Sequence, residues 1–175
     1  MTTKAGTGRQ SLTGDCASAF LLLSRIPVTW HRFRDDQPPD FISSLWAFPL
    51  VGLVIGAAGG GVLAVGQALA LPTFAIAILS LATMVFLSGA MHEDGLADMA
   101  DGFGGGRDTE AKIRIMHDSR IGTYGVLGLT LTVAIRIGLY MTCLGILSGW
   151  DLVLFMAMLQ ACLLYTSPSP RDPTK

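Results

Sequence analysis

Charge is what this chain has least of. From Leu45 through Met91, forty-seven residues in succession, there is no Asp, Glu, Lys, Arg or His. Charged residues make up 14% of the whole, against about 25% in soluble domains, which argues against an ordinary water-covered fold. Cysteine is scarce as well. Cys16, Cys143 and Cys162 are an odd set without metal-ligand spacing, and all three read as small apolar residues in a reduced or membrane setting. The net charge of −1 leaves no basic face for general nucleic-acid binding. A secretory signal is not expected in the first twenty residues, which carry Lys4, Arg9 and Asp15 but no apolar core ending in a small-residue cleavage site.

What is present is apolar sequence, 51% of the chain with a mean hydropathy of +0.54. A bilayer-spanning helix needs about 20 such residues. Residues 45–71 and 72–91 each supply that, with Pro72 at the break. Residues 121–150 offer a third span, interrupted by Arg136, and 152–165 begin a fourth. The expected fold is an all-α, polytopic integral membrane helix bundle with an acidic, Gly-rich loop on the cytoplasmic side. Residues 1–15 are expected to be a disordered arm and 16–165 a single membrane-embedded domain that is incomplete at its C-terminus. Residues 166–175, Pro- and Ser-rich, cut a hydrophobic segment short and read as a non-native tail.

Within this frame Cys16–Val28 is too short to span and ends near Pro27, so it is expected to lie along the membrane surface. Trp30, Trp46 and the nearby arginines suit the headgroup level, and Pro38-Pro39 marks a turn. Gly52, Gly56 and Gly60 are spaced small-xxx-small and predict close helix packing. Lys4, Arg9, Arg25, Arg32 and Arg34 precede the first two spans, and Arg107, Lys112, Arg114 and Arg120 follow them. Both groups then share one side, which the positive-inside tendency makes cytosolic.

The densest chemistry follows the uncharged run at once: His92-Glu93-Asp94-Gly95-Leu96-Ala97-Asp98-Met99-Ala100-Asp101-Gly102. On a helix, with Asp94 at zero, Asp98 falls near +40° and Asp101 near −20°, a stripe about 60° wide with Glu93 about 100° away at its edge. Three like charges on one stripe repel unless a cation lies between them. Hard oxygen ligands of this kind suit Mg²⁺ or Mn²⁺, with positions left for water and phosphate. Glu93, Asp94, Asp98 and Asp101 are therefore the candidate metal ligands, and Asp94, Asp98 and Asp101 the candidate catalytic groups. Asp101 is the first choice for a general base.

Gly102-Phe103-Gly104-Gly105-Gly106 is expected to break the helix, as a plain turn or as a phosphate-covering loop; it is neither a dinucleotide fingerprint nor a P-loop. Asp108 can N-cap a short helix through Glu110–Met116. Arg107, Lys112 and Arg120 are the candidate phosphate contacts. His92 reads as a hydrogen-bonded interfacial residue. Arg136 should snorkel or turn inward and pair with an acid.

The run from His92 to Gly106, followed by Met116-His117-Asp118-Ser119-Arg120-Ile121-Gly122-Thr123-Tyr124-Gly125, resembles the cobalamin-5′-phosphate synthase (adenosylcobinamide-GDP ribazoletransferase) family. Phe20-Leu21-Leu22-Leu23-Ser24-Arg25-Ile26-Pro27-Val28 is similar to that family's N-terminal signature. The resemblance, over about residues 16–165, implies a Mg²⁺-dependent transferase of the bacterial cytoplasmic (inner) membrane. Its substrates would be adenosylcobinamide-GDP and α-ribazole or α-ribazole 5′-phosphate, its products adenosylcobalamin or its 5′-phosphate and GMP, and its partners the lipid bilayer but no nucleic acid. It implies metal binding and catalysis by Glu93, Asp94, Asp98 and Asp101, and a part for His117, Asp118, Ser119 and Arg120. Family members continue through further membrane segments where this chain enters its Pro/Ser tail. A CDP-alcohol phosphotransferase is the nearest alternative, but Asp94-Gly95 lacks the Ala-Arg pair and the later spacing of that motif. An ion-transporting protein is the other, and the basic residues beside the acids suit a phosphorylated ligand better.

Overall fold

The computed structural model describes residues 12–28 and 41–165. Every element in them is helical: α1 (Leu12–Leu23), α2 (Phe48–Ala68) preceded by a 3-10 turn (Ser43–Ala47), α3 (Thr73–Ser88), α4 (Met91–Gly105), α5 (Thr109–Met116), α6 (Thr123–Ile146) and α7 (Trp150–Tyr165). The all-α reading holds. Two segments among the described residues, Ser43–Ala68 and Thr123–Ile146, are long and apolar enough to cross a membrane, and α3 with α4 makes a third if that bent pair is one span.

The span expected over 72–91 comes out differently. Its helix is the 16 residues of α3, about 24 Å at 1.5 Å per residue, short of a hydrocarbon core about 30 Å thick. Gly89 (φ 72°) and Ala90 (φ 60°) are both left-handed, and the chain turns by 91° into α4. Gly takes that conformation freely, whereas Ala there is strained.

Packing is organised by the glycines of α2. The face Gly52, Gly56, Gly60 lies against α7 in antiparallel register: a Cβ on Gly52 would stand 2.5 Å from the Gln160 carbonyl oxygen, one on Gly56 would collide with the Met156 carbonyl, and one on Gly60 would stand 2.7 Å from the Val153 Cα. The expected close approach is met, with α7 as the partner. A second face receives α3. A Cβ on Gly59 would meet Met84 at 2.5 Å, and Ser80 Oγ donates to the Gly59 carbonyl at 2.9 Å. Between these helices Ile55, Leu63, Ile76, Met84, Leu152 and Met156 are fully buried. Gln67 Nε2 donates to the carbonyls of Leu144 (3.0 Å) and Leu147 (3.2 Å), so α2 and α6 end side by side, and the last carbonyls of α6 find a donor.

Local ends also differ from expectation. Of the arm expected to be disordered, residues 1–11 lie outside the described residues, but 12–15 form the first turn of α1. Asp15 holds that turn in place by accepting from Trp46 Nε1 at 3.0 Å and Ser43 Oγ at 3.2 Å. The surface helix expected over 16–28 stops at Leu23: Ser24 Oγ donates to the Phe20 carbonyl at 2.8 Å, and Pro27 disfavours helix at Ile26. Pro38-Pro39, Trp30, Lys4, Arg9, Arg32, Arg34 and the tail 166–175 lie outside the described residues. The fourth apolar segment is one helix, α7, beginning at Trp150 rather than 152.

Gly56→Ala should lower thermal stability in detergent, because backbone of α7 occupies the space its side chain needs. Gly61 has nothing within 4 Å of a Cβ, so Gly61→Ala should be neutral or stabilise by up to about 1 kcal/mol through helix propensity. Equal melting temperatures for the two variants would contradict the α2–α7 register.

Candidate active site

The acidic run is a helix, as its spacing predicts, and α4 divides its carboxylates between two jobs. Glu93, Ala97 and Asp101, at i, i+4 and i+8, face α6. Glu93 Oε1 accepts from the Arg136 guanidinium at 2.7 Å, with both side chains largely buried. This is the acid that Arg136 was expected to find within its span. Asp101 is 8% exposed, and its oxygens accept the backbone N–H of Gly122 at 2.7 Å and of Gly125 at 2.8 Å. α6 has no side-chain cap of its own at Gly122, so a carboxylate from the neighbouring helix satisfies its first amides and meets the positive end of its dipole. A Cβ at either Gly122 or Gly125 would collide with that carboxylate. Both oxygens of Asp101 are thus engaged with the first turn of α6.

Asp94 and Asp98 face away from α6. Asp94 is exposed and Asp98 half-buried, and neither carboxylate has a hydrogen-bond partner among the described residues. One turn apart, they are neighbours on the helix surface, about 5–6 Å between Cβ atoms. Among the described residues no three His, Cys, Asp or Glu side chains converge on one point. The donor set that remains does fit Mg²⁺, which is commonly held by one or two carboxylates and completed by water and substrate phosphate.

The glycine run does not break the helix where expected. α4 continues through Gly105 and ends at Gly106, because three of these glycines are packing positions. A Cβ at Gly102 would stand 2.7 Å from Met116, one at Gly104 would enter the Tyr124 ring, and one at Gly106 would stand 2.5 Å from Lys112. Gly95, by contrast, faces open space. Asp108 N-caps α5 as predicted, accepting from the Ala111 amide at 2.8 Å.

The expected phosphate contacts are less gathered. Arg107 is exposed at the α4–α5 corner. Lys112 Nζ lies 4.9 Å above the Phe103 ring, a cation–π distance. Arg120 is 87% exposed and bonded to Asp118 through Nε (3.2 Å) and Nη2 (2.9 Å). That guanidinium and the Arg120 amide hold the Asp118 carboxyl below its ordinary value, and Asp118 in turn raises Arg120. His117 Nδ1 is 2.9 Å from the Ile113 carbonyl, a local contact. Neither ion pair among the described residues joins the acidic stripe to these cations.

His92, Glu93 and Arg136 form the polar end of a cavity of about 620 Å³ between α3, α4, α6 and α7, whose other walls include Leu139, Phe155 and Leu159. The sequence carried one signal for it, an arginine inside an apolar span. The capping role of Asp101 had a signal too: Gly122 opens a long helix without Ser, Thr, Asp or Asn at its cap position.

Helices of membrane-spanning character, with an acidic helix clamped across the head of one of them, define an integral membrane protein that carries a pair of carboxylates one turn apart. The cobalamin-5-phosphate synthase family profile matches residues 15–173, and the chain belongs to that family. It is 45% identical over 129 residues to the adenosylcobinamide-GDP ribazoletransferase of Azorhizobium caulinodans, covering 73% of this chain and 49% of that protein. The enzymes of the same name from Bradyrhizobium diazoefficiens (53% over 91 residues, 52% of this chain and 35% of the relative) and Brucella anthropi (40% over 136 residues, 77% and 51%) are also similar. The chain thus spans about half the length, or less, of these curated relatives. No solved structure matches it.

Asp101→Ala should cost about 2 kcal/mol, the loss of a charged cap, and hydrogen exchange should accelerate first at the Gly122 and Gly125 amides. Unchanged protection there would remove Asp101 from the capping role. The Asp118–Arg120 contact has the opposite reach in pH. A carboxyl whose value is lowered by folding stabilises at pH above its unfolded value and ceases to do so as pH falls through the lowered one. Order in the loop before α6 should accordingly persist through mild acid and fade only in strong acid, an effect visible in the Arg120 Nε–H resonance and absent in Asp118→Asn.

Proposed function

We propose that this chain carries the carboxylate site of a corrinoid-phosphate transfer: adenosylcobinamide-GDP and α-ribazole, or α-ribazole 5′-phosphate, give adenosylcobalamin, or its 5′-phosphate, and GMP. One observation carries the reading. Asp94 and Asp98 stand one turn apart without partners among the described residues, on a helix whose other two acids are committed to α6. Membership of the family and the name shared by its relatives support the substrates.

Phosphoryl transfer asks a protein mainly for positioning and charge neutralisation. Asp94 and Asp98 would hold Mg²⁺, or Mn²⁺ in its place, and the bound ion supplies neutralisation of the diphosphate. The acceptor's ribose hydroxyl gives its proton to Asp98, its oxygen bonds to the corrinoid-side phosphorus, and the bond from that phosphorus to the bridging oxygen breaks, releasing GMP. The base role falls to Asp98 because Asp101 already accepts two amides. Arg107, Lys112 and Arg120, on the segment just after α4, neutralise the departing nucleotide. Glu93 acts through Arg136, keeping α4 seated. The site faces the cytosol of a bacterium on this reading, since the α4–α5 corner and the loop before α6 concentrate basic residues, and nucleotides and magnesium are supplied from that side.

With the chain in lipid nanodiscs, Asp94→Asn and Asp98→Asn should each reduce Mg²⁺-dependent GMP release from adenosylcobinamide-GDP by about 100-fold or more. Undiminished release in both variants overturns the site. Release of CMP from CDP-diacylglycerol, with no GMP from the corrinoid donor, overturns the substrate class.

A further inference from the structure

Arg25 is a charge held in a fixed place without a partner. Its backbone N–H donates to the Leu87 carbonyl at 2.7 Å, which ties the segment after α1 to the last turn of α3. Its side chain then crosses Gly89: a Cβ on that glycine would stand 3.1 Å from Nε and 3.2 Å from Cγ of Arg25. Gly89 is thus needed twice, for its left-handed φ of 72° and for the room it leaves this side chain. Both ion pairs among the described residues belong to other arginines, Arg120 and Arg136.

An exposed guanidinium can satisfy its donors with water, but the position of Arg25 suits it to a ligand. Gly89 directly precedes Ala90, whose carbonyl accepts the Asp94 amide at 2.9 Å. Arg25 therefore stands at the corner where α4 begins, one helical turn ahead of Asp94 and two ahead of Asp98. Arg25 and Asp94 are both exposed. The cations that residue order singles out come from the other end of the helix: Arg107 follows its last turn, Lys112 lies over Phe103, and Arg120 is held by Asp118.

We propose that Arg25 is a phosphate-binding residue of the transfer site, engaging the diphosphate of the nucleotide donor from the N-terminal end of α4. The assignment rests on the transferase reading and adds to it a residue from a distant part of the chain. A dication held by Asp94 and Asp98 is already offset by their two charges, so the diphosphate needs further cations. Those of the α5 side would reach it from one flank only. The planar fork of arginine meets two phosphate oxygens at once, where lysine offers a point charge. Fixing the Arg25 amide to Leu87 and its stem to Gly89 lowers the rotamer freedom lost on binding.

The probe is GDP with Mg²⁺, equilibrated by dialysis against the chain in phosphatidylcholine nanodiscs and corrected for uptake by empty discs. The expected result is saturable binding, weakened about tenfold or more by Arg25→Ala. Arg25→Lys, which keeps the charge but not the fork, should restore part of it. Arg114→Ala, a charge-matched control on α5, should change nothing. In turnover, Arg25→Ala should raise KM for adenosylcobinamide-GDP and leave KM for α-ribazole unchanged, a split that loss of folded protein does not produce. No saturable binding, equal affinity in Arg25→Ala, or equal weakening by Arg114→Ala overturns the proposal. Lipid headgroups offer the same phosphate chemistry. Unchanged GDP affinity, with less phosphatidylglycerol retained by Arg25→Ala through detergent exchange, marks a headgroup contact and likewise overturns it. Arg25-dependent GDP binding in a chain that releases no GMP from the corrinoid donor refutes the transferase reading and leaves the phosphate contact standing. Normal GMP release with a GDP affinity indifferent to Arg25→Ala refutes the contact alone.

Discussion

Asp101, set between the amides of Gly122 and Gly125, is the contact on which the arrangement of the site depends. α6 begins at a glycine with no cap of its own, and orphan amides buried at a helix start need an acceptor. By supplying it from α4, Asp101 joins the acidic helix to the longest apolar one. Eight residues earlier the Glu93–Arg136 pair makes a second attachment at 2.7 Å, about 12 Å along the axis. Two fixed points define the rotation of α4 about its own axis, and that rotation is what leaves Asp94 and Asp98 on the free side.

The remainder of the bundle is shaped by missing side chains. Lipid offers no hydrophobic drive for one apolar helix to prefer another, so close backbone approach and dispersion decide the pairing. On α2, Gly52, Gly56 and Gly60 admit α7, while Gly59 admits Met84 of α3. With α7 drawn to α2, and α6 held by α3 and α4, a cavity is left between α6 and α7. Its lining includes Glu93 and Arg136, so the pair that seats α4 also borders this cavity. The bend at Gly89 and Ala90 serves the same geometry by turning the chain across the head of α3 rather than onward along it.

Much of this was legible from residue order. Absence of charge from Leu45 to Met91 announced apolar helices, the Asp94/Asp98 spacing announced a helical face, and Asp108 announced its cap. The helical wheel placed Asp101 with Asp94 and Asp98, since about 60° covers all three. It could not say that the N-terminus of α6, twenty residues further on, would claim Asp101. Gly102, Gly104 and Gly106 read as helix breakers by intrinsic preference, yet Met116, Tyr124 and Lys112 fill the space above them and hold α4 regular to Gly105. Propensity is a weak prior where tertiary contact is dense.

Residue order by itself determined the class of fold, the helical face that carries the acids and the family to which the chain belongs. These depend on periodicity, composition and motif, which are local quantities. Tertiary structure alone decided which acids are free and which are bound, which helix the glycine face of α2 receives, and where the cavity opens. Those outcomes depend on groups far apart in the chain competing for the same carboxylate or the same few ångströms of backbone contact, and no single window of sequence contains both competitors.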